Sequence, residues 1–400
     1  MKSGNGLRRE RRLFLTGLAA LLISTALAVV AGSYLSSVRE VLVLIPGLLV
    51  LVPPTINMRG SISGVLASRL SSSMHLGEFT GSFHDGGVLA ENLHVSLILT
   101  LATAVALGIV ASLVSALTGV EVIATGDLVL ISVVAGIVAG FIVMGFTVLV
   151  SVLSYRQGID MDMIAAPAVT TLGDLVTIPV LTITAVVVLS FQPGTRTLLL
   201  WVMLLCAAAA CLYSWSRGGR IKRISTEVLP LLVCLSVLGT FAGVTYTLGL
   251  DRLVSMAALL ILIPPFAGIC GSIGGILCSR LGTEMHLGII APSLVPSKGV
   301  LVQFAHTYLF TFLLLPLMAA LAHLAALLLG APSPGLLPMV AIATLAGAVV
   351  MTLVNGIAHL TATISFRFGL DPDNFGIPVI SAVIDLLGAV VLVAVIDLFL

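Results

Sequence analysis

Long apolar runs, separated by short polar stretches, follow one another along nearly the whole chain. A helix needs about 20 consecutive apolar residues to cross the hydrocarbon core of a bilayer. Eleven runs come close to that length, and we therefore predict an all-α polytopic membrane protein with about eleven spans. The longest gaps, at about 70–93 and 280–302, are predicted to be loops. The predicted spans cover approximately residues 13–33, 41–58, 94–117, 127–154, 165–191, 198–214, 228–248, 253–272, 303–330, 337–365 and 376–399.

The first run follows four arginines (Arg8, Arg9, Arg11 and Arg12), an arrangement that fits either a signal peptide or a retained helix. Because the run is about 20 residues long and many spans follow, we favour a retained transmembrane helix. With the N-terminus in the cytoplasm, 14 lysines and arginines fall in inner segments and 3 in outer ones. Cytoplasmic loops retain basic residues. We therefore expect a cytoplasmic N-terminus, an outside C-terminus and a location in the plasma membrane.

Composition narrows the function classes. Only 9% of the residues are charged, against about 25% in an ordinary soluble domain. Hydrophobic residues make up 59% of the chain, and the mean hydropathy is +1.24. These values exclude a soluble domain, a disordered chain, a nucleic-acid-binding protein and a disulfide scaffold, which leaves the lipid bilayer as the expected partner. Five cysteines without metal-binding spacing are expected to be small buried hydrophobic residues. They are Cys206, Cys211, Cys234, Cys270 and Cys278.

Short motifs recur at a constant offset of 211 residues, which indicates two copies of one unit. We predict a first five-helix repeat at 1–195, a linking transmembrane helix at 196–220 and a second five-helix repeat at 221–400. The recurring positions include Pro53-Pro54 with Pro264-Pro265, Gly60-Ser61 with Gly271-Ser272, Met74-His75 with Met285-His286, Asp160 with Asp371, Asp162 with Asp373, and Asp174 with Asp385.

Because five is an odd number of spans, two repeats joined directly would have opposite orientations in the membrane. The linking span restores the same orientation for both. We therefore expect parallel copies related by a pseudo-two-fold axis along the membrane normal, with a substrate path at their interface. Because one chain supplies both copies, a monomer would be sufficient. The alternative is that the repeat is only architectural.

Asp174 and Asp385 each lie well inside a predicted span, among apolar residues. A carboxylate at such depth costs about 2.5 to 3.5 kcal/mol on insertion scales. Two equivalent carboxylates facing one axis match a divalent cation, and Mg²⁺ suits a site with few carboxylates because it keeps most of its water shell. The alternative is a pair of protonated or helix-capping acids with a structural role.

Four more aspartates lie one to two turns before these spans, near the predicted inner membrane surface. A cluster of acids at the inner end of a pore would concentrate cations. The same residues could instead cap the fifth helix of each repeat. They are Asp160, Asp162, Asp371 and Asp373.

The second span of each repeat is predicted to be broken. The first copy stays largely apolar from about 39 to 70, which is too long for one straight crossing, and its proline pair and glycines interrupt the hydrogen-bond ladder. Freed backbone at that depth is tolerated only beside protein or a water-filled cavity. The candidate pore-lining residues are therefore Gly60, Ser61, Gly271 and Ser272, together with Thr170 and Ser381 of the fifth spans.

Three further polar residues have open roles. Arg59 lies at membrane depth where the second copy has Cys270, and it either pairs with an acid or snorkels to the surface. His75 and His286 fall in predicted cytoplasmic loops. They are ordinary loop histidines unless they bind a soft metal or sense pH.

Three motifs together resemble the MgtE family of magnesium transporters, and most closely its two-copy relatives among the eukaryotic solute carriers. The motifs are Ala67–Ser71, Leu172–Thr177 and Gly369–Asn374. The resemblance covers nearly all of the chain outside the linking helix. It implies a transporter and not an enzyme, without a cofactor, that carries Mg²⁺ or another divalent cation. In that family the fifth-helix aspartate coordinates the ion, which corresponds to Asp174 and Asp385 here.

The chain departs from the family pattern at Ser61 and Ser272, where asparagine is common, so the resemblance does not fix the ion. Two alternative functions remain open from the residues. One is a Na⁺- or H⁺-coupled carrier of another solute, in which the aspartates bind the coupling ion. The least favoured is an intramembrane aspartyl protease, because the two aspartates lie on symmetric helices without the signatures of such enzymes.

Overall fold

The computed structural model describes residues 21–75, 87–157, 161–217, 219–368 and 372–400. Within these ranges the chain is helical without any strand, as predicted. The helices are α1 (Leu21–Ser37), α2 (Arg39–Leu44), α3 (Leu48–His75), α4 (Val88–Thr118), α5 (Thr125–Gln157), α6 (Met161–Ser190), α7 (Pro193–Arg217), α8 (Gly219–Leu248), α9 (Leu250–Ser255), α10 (Ala258–His286), α11 (Lys298–Leu328), α12 (Leu336–Arg367) and α13 (Pro372–Phe399).

In the described part of the chain, nine helices are long and apolar enough to cross a membrane. A further apolar helix, α1, is shorter, and α3 has 28 residues but interrupts its apolar sequence with Asn57 and Arg59. These eleven helices correspond to the eleven predicted spans. The prediction of an all-α polytopic membrane protein is therefore confirmed.

We call α1–α6 the first half and α8–α13 the second half, with α7 between them, and we call positions 211 residues apart equivalent. Helix boundaries agree with this offset. Both α2 and α9 begin at equivalent residues, as do α5 and α12, and α6 and α13. The two halves thus share one order of helices.

The predicted break at the proline pairs is wrong. Helix α3 runs continuously through Pro53 and Pro54, and α10 runs through Pro264 and Pro265. The chain breaks earlier, between α2 and α3, where Gly47 adopts a φ of 84°. Each pair removes two helical hydrogen bonds, because proline has no N–H, but the helix continues on both sides of it. Both helices also extend further than predicted, and the described loop between α10 and α11 is shorter than expected.

The first helix of each half packs against the other half. Helix α8 packs mainly against α3 and α4. Gly243 of α8 approaches the Val50 carbonyl so closely that a Cβ would overlap it. Pro54 has no N–H, so it leaves this carbonyl without its usual helical partner. Small residues allow such close helix approach in membranes.

The equivalent contact occurs on the other side of the molecule. Gly32 of α1 approaches the Ile261 carbonyl of α10 in the same way, and Pro265 is the residue that leaves that carbonyl free. Nearby, the Ser36 hydroxyl donates a hydrogen bond of 2.8 Å to the Ala257 carbonyl. The exchange of first helices therefore ties the two halves together from both sides.

The two ends of the helix bundle differ in charge. We call the end at which α3, α5, α10 and α12 finish the basic end, because most of the described lysines and arginines lie there. Arg367 of α12 donates a 2.9 Å hydrogen bond to the Pro292 carbonyl at this end. The basic end carries Arg69, Lys222, Arg223, Arg280, Lys298 and Arg367, and the opposite end carries Arg39, Arg196 and Arg252.

The cysteines are only partly as predicted. Cys270 and Cys278 are buried, whereas Cys206, Cys211 and Cys234 are exposed on α7 and α8. The prediction of burial is wrong for these three because the outer face of a membrane helix contacts lipid, which accepts small apolar side chains as readily as a protein core does.

Candidate functional site

Two aspartates lie at the middle of long membrane helices. Asp174 is the fourteenth residue of α6 and Asp385 is the fourteenth residue of α13. Both are half-buried, and the two side chains lie within electrostatic range of each other. Carboxylates at this depth are costly unless a partner or an ion offsets their charge.

The two helices that carry these aspartates, α6 and α13, each pack against a proline-containing helix. Helix α3 packs against α6, α10 packs against α13, and α3 also contacts α13 across the boundary between the halves. A Cβ built on Gly64 of α3, or on Gly268 or Gly271 of α10, would meet nothing within 4 Å. These glycines therefore leave open space along both helices. Two carboxylates can together hold a cation that keeps part of its water shell.

The structure describes some of the predicted pore-lining residues. Gly60, Ser61, Gly271, Ser272 and Ser381 are half-buried. They lie on α3, α10 and α13, and their role in lining a pore remains a prediction. For Thr170 on α6, only the backbone is described.

The four secondary aspartates are described less fully. Asp160 and Asp371 lie outside the described residues. Asp162 and Asp373 are the second residues of α6 and α13, and their side chains are not described. Their proposed attraction for cations therefore remains a prediction.

Sequence reasoning missed two polar residues on the helices near the aspartates. Asn57 of α3 has a side-chain nitrogen with no hydrogen-bond partner among the described residues, and its equivalent is Gly268. Tyr246 of α8 is 2% exposed and interacts electrostatically with Asp385, and its equivalent is Leu35. Both could have been found by searching for polar residues that differ between the copies.

Arg59 is buried, with 1% of its surface exposed. Its Nη2 donates a 2.6 Å hydrogen bond to the Gly136 carbonyl of α5, and its Nε has no partner in the described parts of the chain. Neither expected behaviour is seen, because Arg59 reaches neither the surface nor a described acid. Its guanidinium instead fills space left by Gly140, and its stem lies beside Gly173.

The two candidate loop histidines are helical. His75 is the last residue of α3 and His286 the last residue of α10, so their prediction as loop residues is wrong. The His286 Nδ1 lies 2.8 Å from the Gly282 carbonyl, and its ring meets the edge of Phe366. Across the described residues, no group of three His, Cys, Asp or Glu side chains could hold a metal ion.

Comparison with known proteins agrees with the paired geometry. A sequence profile of the divalent cation transporter family MgtE matches twice, at residues 52–184 and 263–395. The two matches are 211 residues apart, and each contains one of the mid-helix aspartates. No solved structure matches the chain.

Curated relatives are similar over most of the chain. Solute carrier family 41 member 3 of mouse is 24% identical over 85% of this chain and 73% of its own length. The rat protein of the same name is 25% identical over 85% of this chain and 77% of its own length. Human solute carrier family 41 member 2 is 25% identical over 90% of this chain and 66% of its own length. With two profile matches that cover more than half of its residues, the chain belongs to the MgtE family of divalent cation transporters.

Proposed function

We propose that this chain carries divalent cations, with Mg²⁺ as the main substrate, through the space between its two halves. Asp174 and Asp385 form the central site. The observation that carries this proposal is the pair of mid-helix carboxylates at equivalent positions, within electrostatic range of each other. No bond is made or broken, so the protein acts as a transporter and not as an enzyme.

The charge balance favours a divalent ion. Each carboxylate costs about 2.5 to 3.5 kcal/mol at the bilayer centre, and a cation between them offsets both charges. Mg²⁺ binds through one or two carboxylates and keeps several waters. Open space beside Gly268 and Gly271 suits an ion that retains part of its water shell.

The proposal includes the organisation of the chain. Residues 1–195 and 221–400 act as parallel repeats, residues 196–220 link them, and one chain supplies a complete transport unit. The basic end faces the cytoplasm, since cytoplasmic segments retain lysine and arginine. The plasma membrane is the proposed location. Asp160, Asp162, Asp371 and Asp373 attract cations toward the start of α6 and α13.

Removing either carboxylate tests the central site. Asp174→Asn and Asp385→Asn should each abolish Mg²⁺ flux into reconstituted vesicles, because a neutral amide cannot balance the charge of the ion. The control is Asp397→Asn, which removes a half-exposed carboxylate from the last turn of the same helix α13. This control should keep its flux.

All three variants should elute as the unmodified protein does on size-exclusion chromatography. Undiminished flux in both Asp174→Asn and Asp385→Asn would contradict the proposal. Calorimetric titration of the purified protein with Mg²⁺, Co²⁺ and Na⁺ separates a divalent site from a site for a coupling ion. Binding of Na⁺ alone would favour a coupled carrier of another solute.

A further inference from the structure

Tyr246 is a buried residue, and its hydroxyl group has no equivalent in the first half. It lies on α8, which packs against α3 and α4 of the first half and also against α13. The equivalent residue on α1 is Leu35, which is fully buried. The tyrosine thus supplies a polar group at a position where the first half has none.

The register of α8 against α13 brings this hydroxyl toward Asp385. Both helices run from the basic end toward the opposite end, and a Cβ on Gly249, just after α8, would lie 3.4 Å from Val393 of α13. Val393 is eight residues after Asp385, which is about 12 Å along a helix. The Cα of Tyr246 lies about one helical turn nearer the basic end than Gly249 does.

The direction of the Tyr246 side chain accounts for the remaining distance to the level of Asp385. Helical side chains lean toward the N-terminus of their helix. The ring of Tyr246 therefore projects back along α8, toward the height of Asp385. The electrostatic interaction between Tyr246 and Asp385 agrees with this geometry. Leu35, the equivalent residue on α1, offers no polar side-chain atom.

We propose that the Tyr246 hydroxyl contacts the water shell of a divalent cation held at Asp385 and helps to set the ion preference of the site. The inference rests on the proposed function, since it requires an ion at Asp385. A phenol hydroxyl both donates and accepts hydrogen bonds. It can therefore accept a hydrogen bond from an ion-bound water while it donates its own hydrogen bond to another acceptor. The second half binds the hydrated ion by this contact and the first half does not.

Tyr246→Phe tests the inference because it removes only the hydroxyl and keeps the ring. The measurement is the Mg²⁺ affinity of the purified full-length protein by calorimetry. Loss of an outer-shell partner of a metal site costs about tenfold or more in affinity, and we expect a decrease of that size. The matched control is Tyr34→Phe on α1, which removes a hydroxyl one residue away from the equivalent position and should leave the affinity unchanged.

Folding is followed by the thermal unfolding temperature without added ion, which should be the same for Tyr246→Phe and the unmodified protein. Tyr246→Leu, which introduces the residue of the equivalent position, should show the same loss of affinity. Affinities for Co²⁺ should fall by a different factor, because the two hydrated ions hold their waters differently. A merely structural role would not produce such a difference between ions.

The outcomes separate this inference from the proposed function. Unchanged Mg²⁺ affinity in Tyr246→Phe, with loss of binding in Asp385→Asn, overturns the role of Tyr246 and leaves the central site intact. Unchanged affinity in Asp385→Asn contradicts the central site itself. Equal decreases in Tyr246→Phe and Tyr34→Phe also overturn the inference, because the effect would not depend on position.

Discussion

The two halves fill the same internal space in different ways. In the first half, Arg59 occupies it, and Ala104, Gly140 and Gly173 leave the room that the long side chain needs. In the second half the equivalent of Arg59 is the small Cys270, and larger apolar residues take the place of the small ones. They are Leu315, Met351 and Ile384.

The large residue of one half thus corresponds to a small residue of the other, and its neighbours differ in the opposite sense. Neighbouring residues in the two copies have therefore changed together. One arginine can replace several apolar side chains only if all of its neighbours become small, because protein interiors are densely packed. The guanidinium also needs acceptors, and the Gly136 carbonyl supplies one. The aspartates at positions 174 and 385 are unaffected by this divergence. A buried charge thus distinguishes the halves, while the carboxylates keep them alike.

A second difference lies closer to the basic end. The first half has a small hydrophobic cluster there, which includes Leu66 and Leu70 with Met144 and Val148 packed against it. The second half has Asn355 and His359 at the positions of Met144 and Val148. His359 is 2% exposed, its ring meets the edge of Phe304, and the backbone of Ser293 is its polar neighbour among the described residues. At this place the second half, and not the first, has buried polar side chains with few hydrogen bonds.

The largest effect should come from placing an arginine in the second half. Cys270→Arg should prevent folding, because Met351 and Ile384 occupy the space and a buried guanidinium without partners costs several kcal/mol. Expression and the chromatographic profile measure the outcome. Adding Met351→Gly and Ile384→Gly should restore part of the folded yield. A well-folded single variant would show that the two packing arrangements are interchangeable.

The sequence was sufficient for the large features of this comparison. Apolar runs predicted the helices, the constant offset identified the paired aspartates, and three short motifs indicated the family. The sequence was not sufficient to predict the surroundings of Arg59. Gly136, Gly140 and Gly173 lie on helices far from Arg59 in the chain, and no local sequence pattern predicts that they contact it. The break before α3 was also missed, since a proline pair gives a stronger breaking signal than Gly47, yet α3 continues through its prolines.

The exchange of first helices offers a symmetric test of intermediate size. Gly243→Val and Gly32→Val should each lower the free energy of unfolding by about 1 to 3 kcal/mol, because the new side chain meets a backbone carbonyl that cannot move away. Denaturant titration in detergent micelles measures the change. Similar losses are expected on both sides, since the two contacts are equivalent.

The chain contains matched glycines for control. A Cβ on Gly145 or on its equivalent Gly356 would meet nothing within 4 Å. Gly145→Ala and Gly356→Ala should therefore keep or slightly increase the stability, as alanine is the better helix former. If all four variants lose the same amount, the close approach of α8 to α3 is not what makes Gly243 necessary.

The smallest effect should come from making the second half resemble the first near the basic end. An unpaired buried polar group costs about 1 to 3 kcal/mol, part of which is recovered when an apolar residue replaces it. His359→Val should therefore raise the free energy of unfolding by about 1 kcal/mol. The reciprocal change, Val148→His, should lower it, because it places a polar ring in the hydrophobic cluster. Both values come from the same denaturant titration, and a loss of stability in His359→Val would show that the imidazole has a stabilising partner in the folded protein.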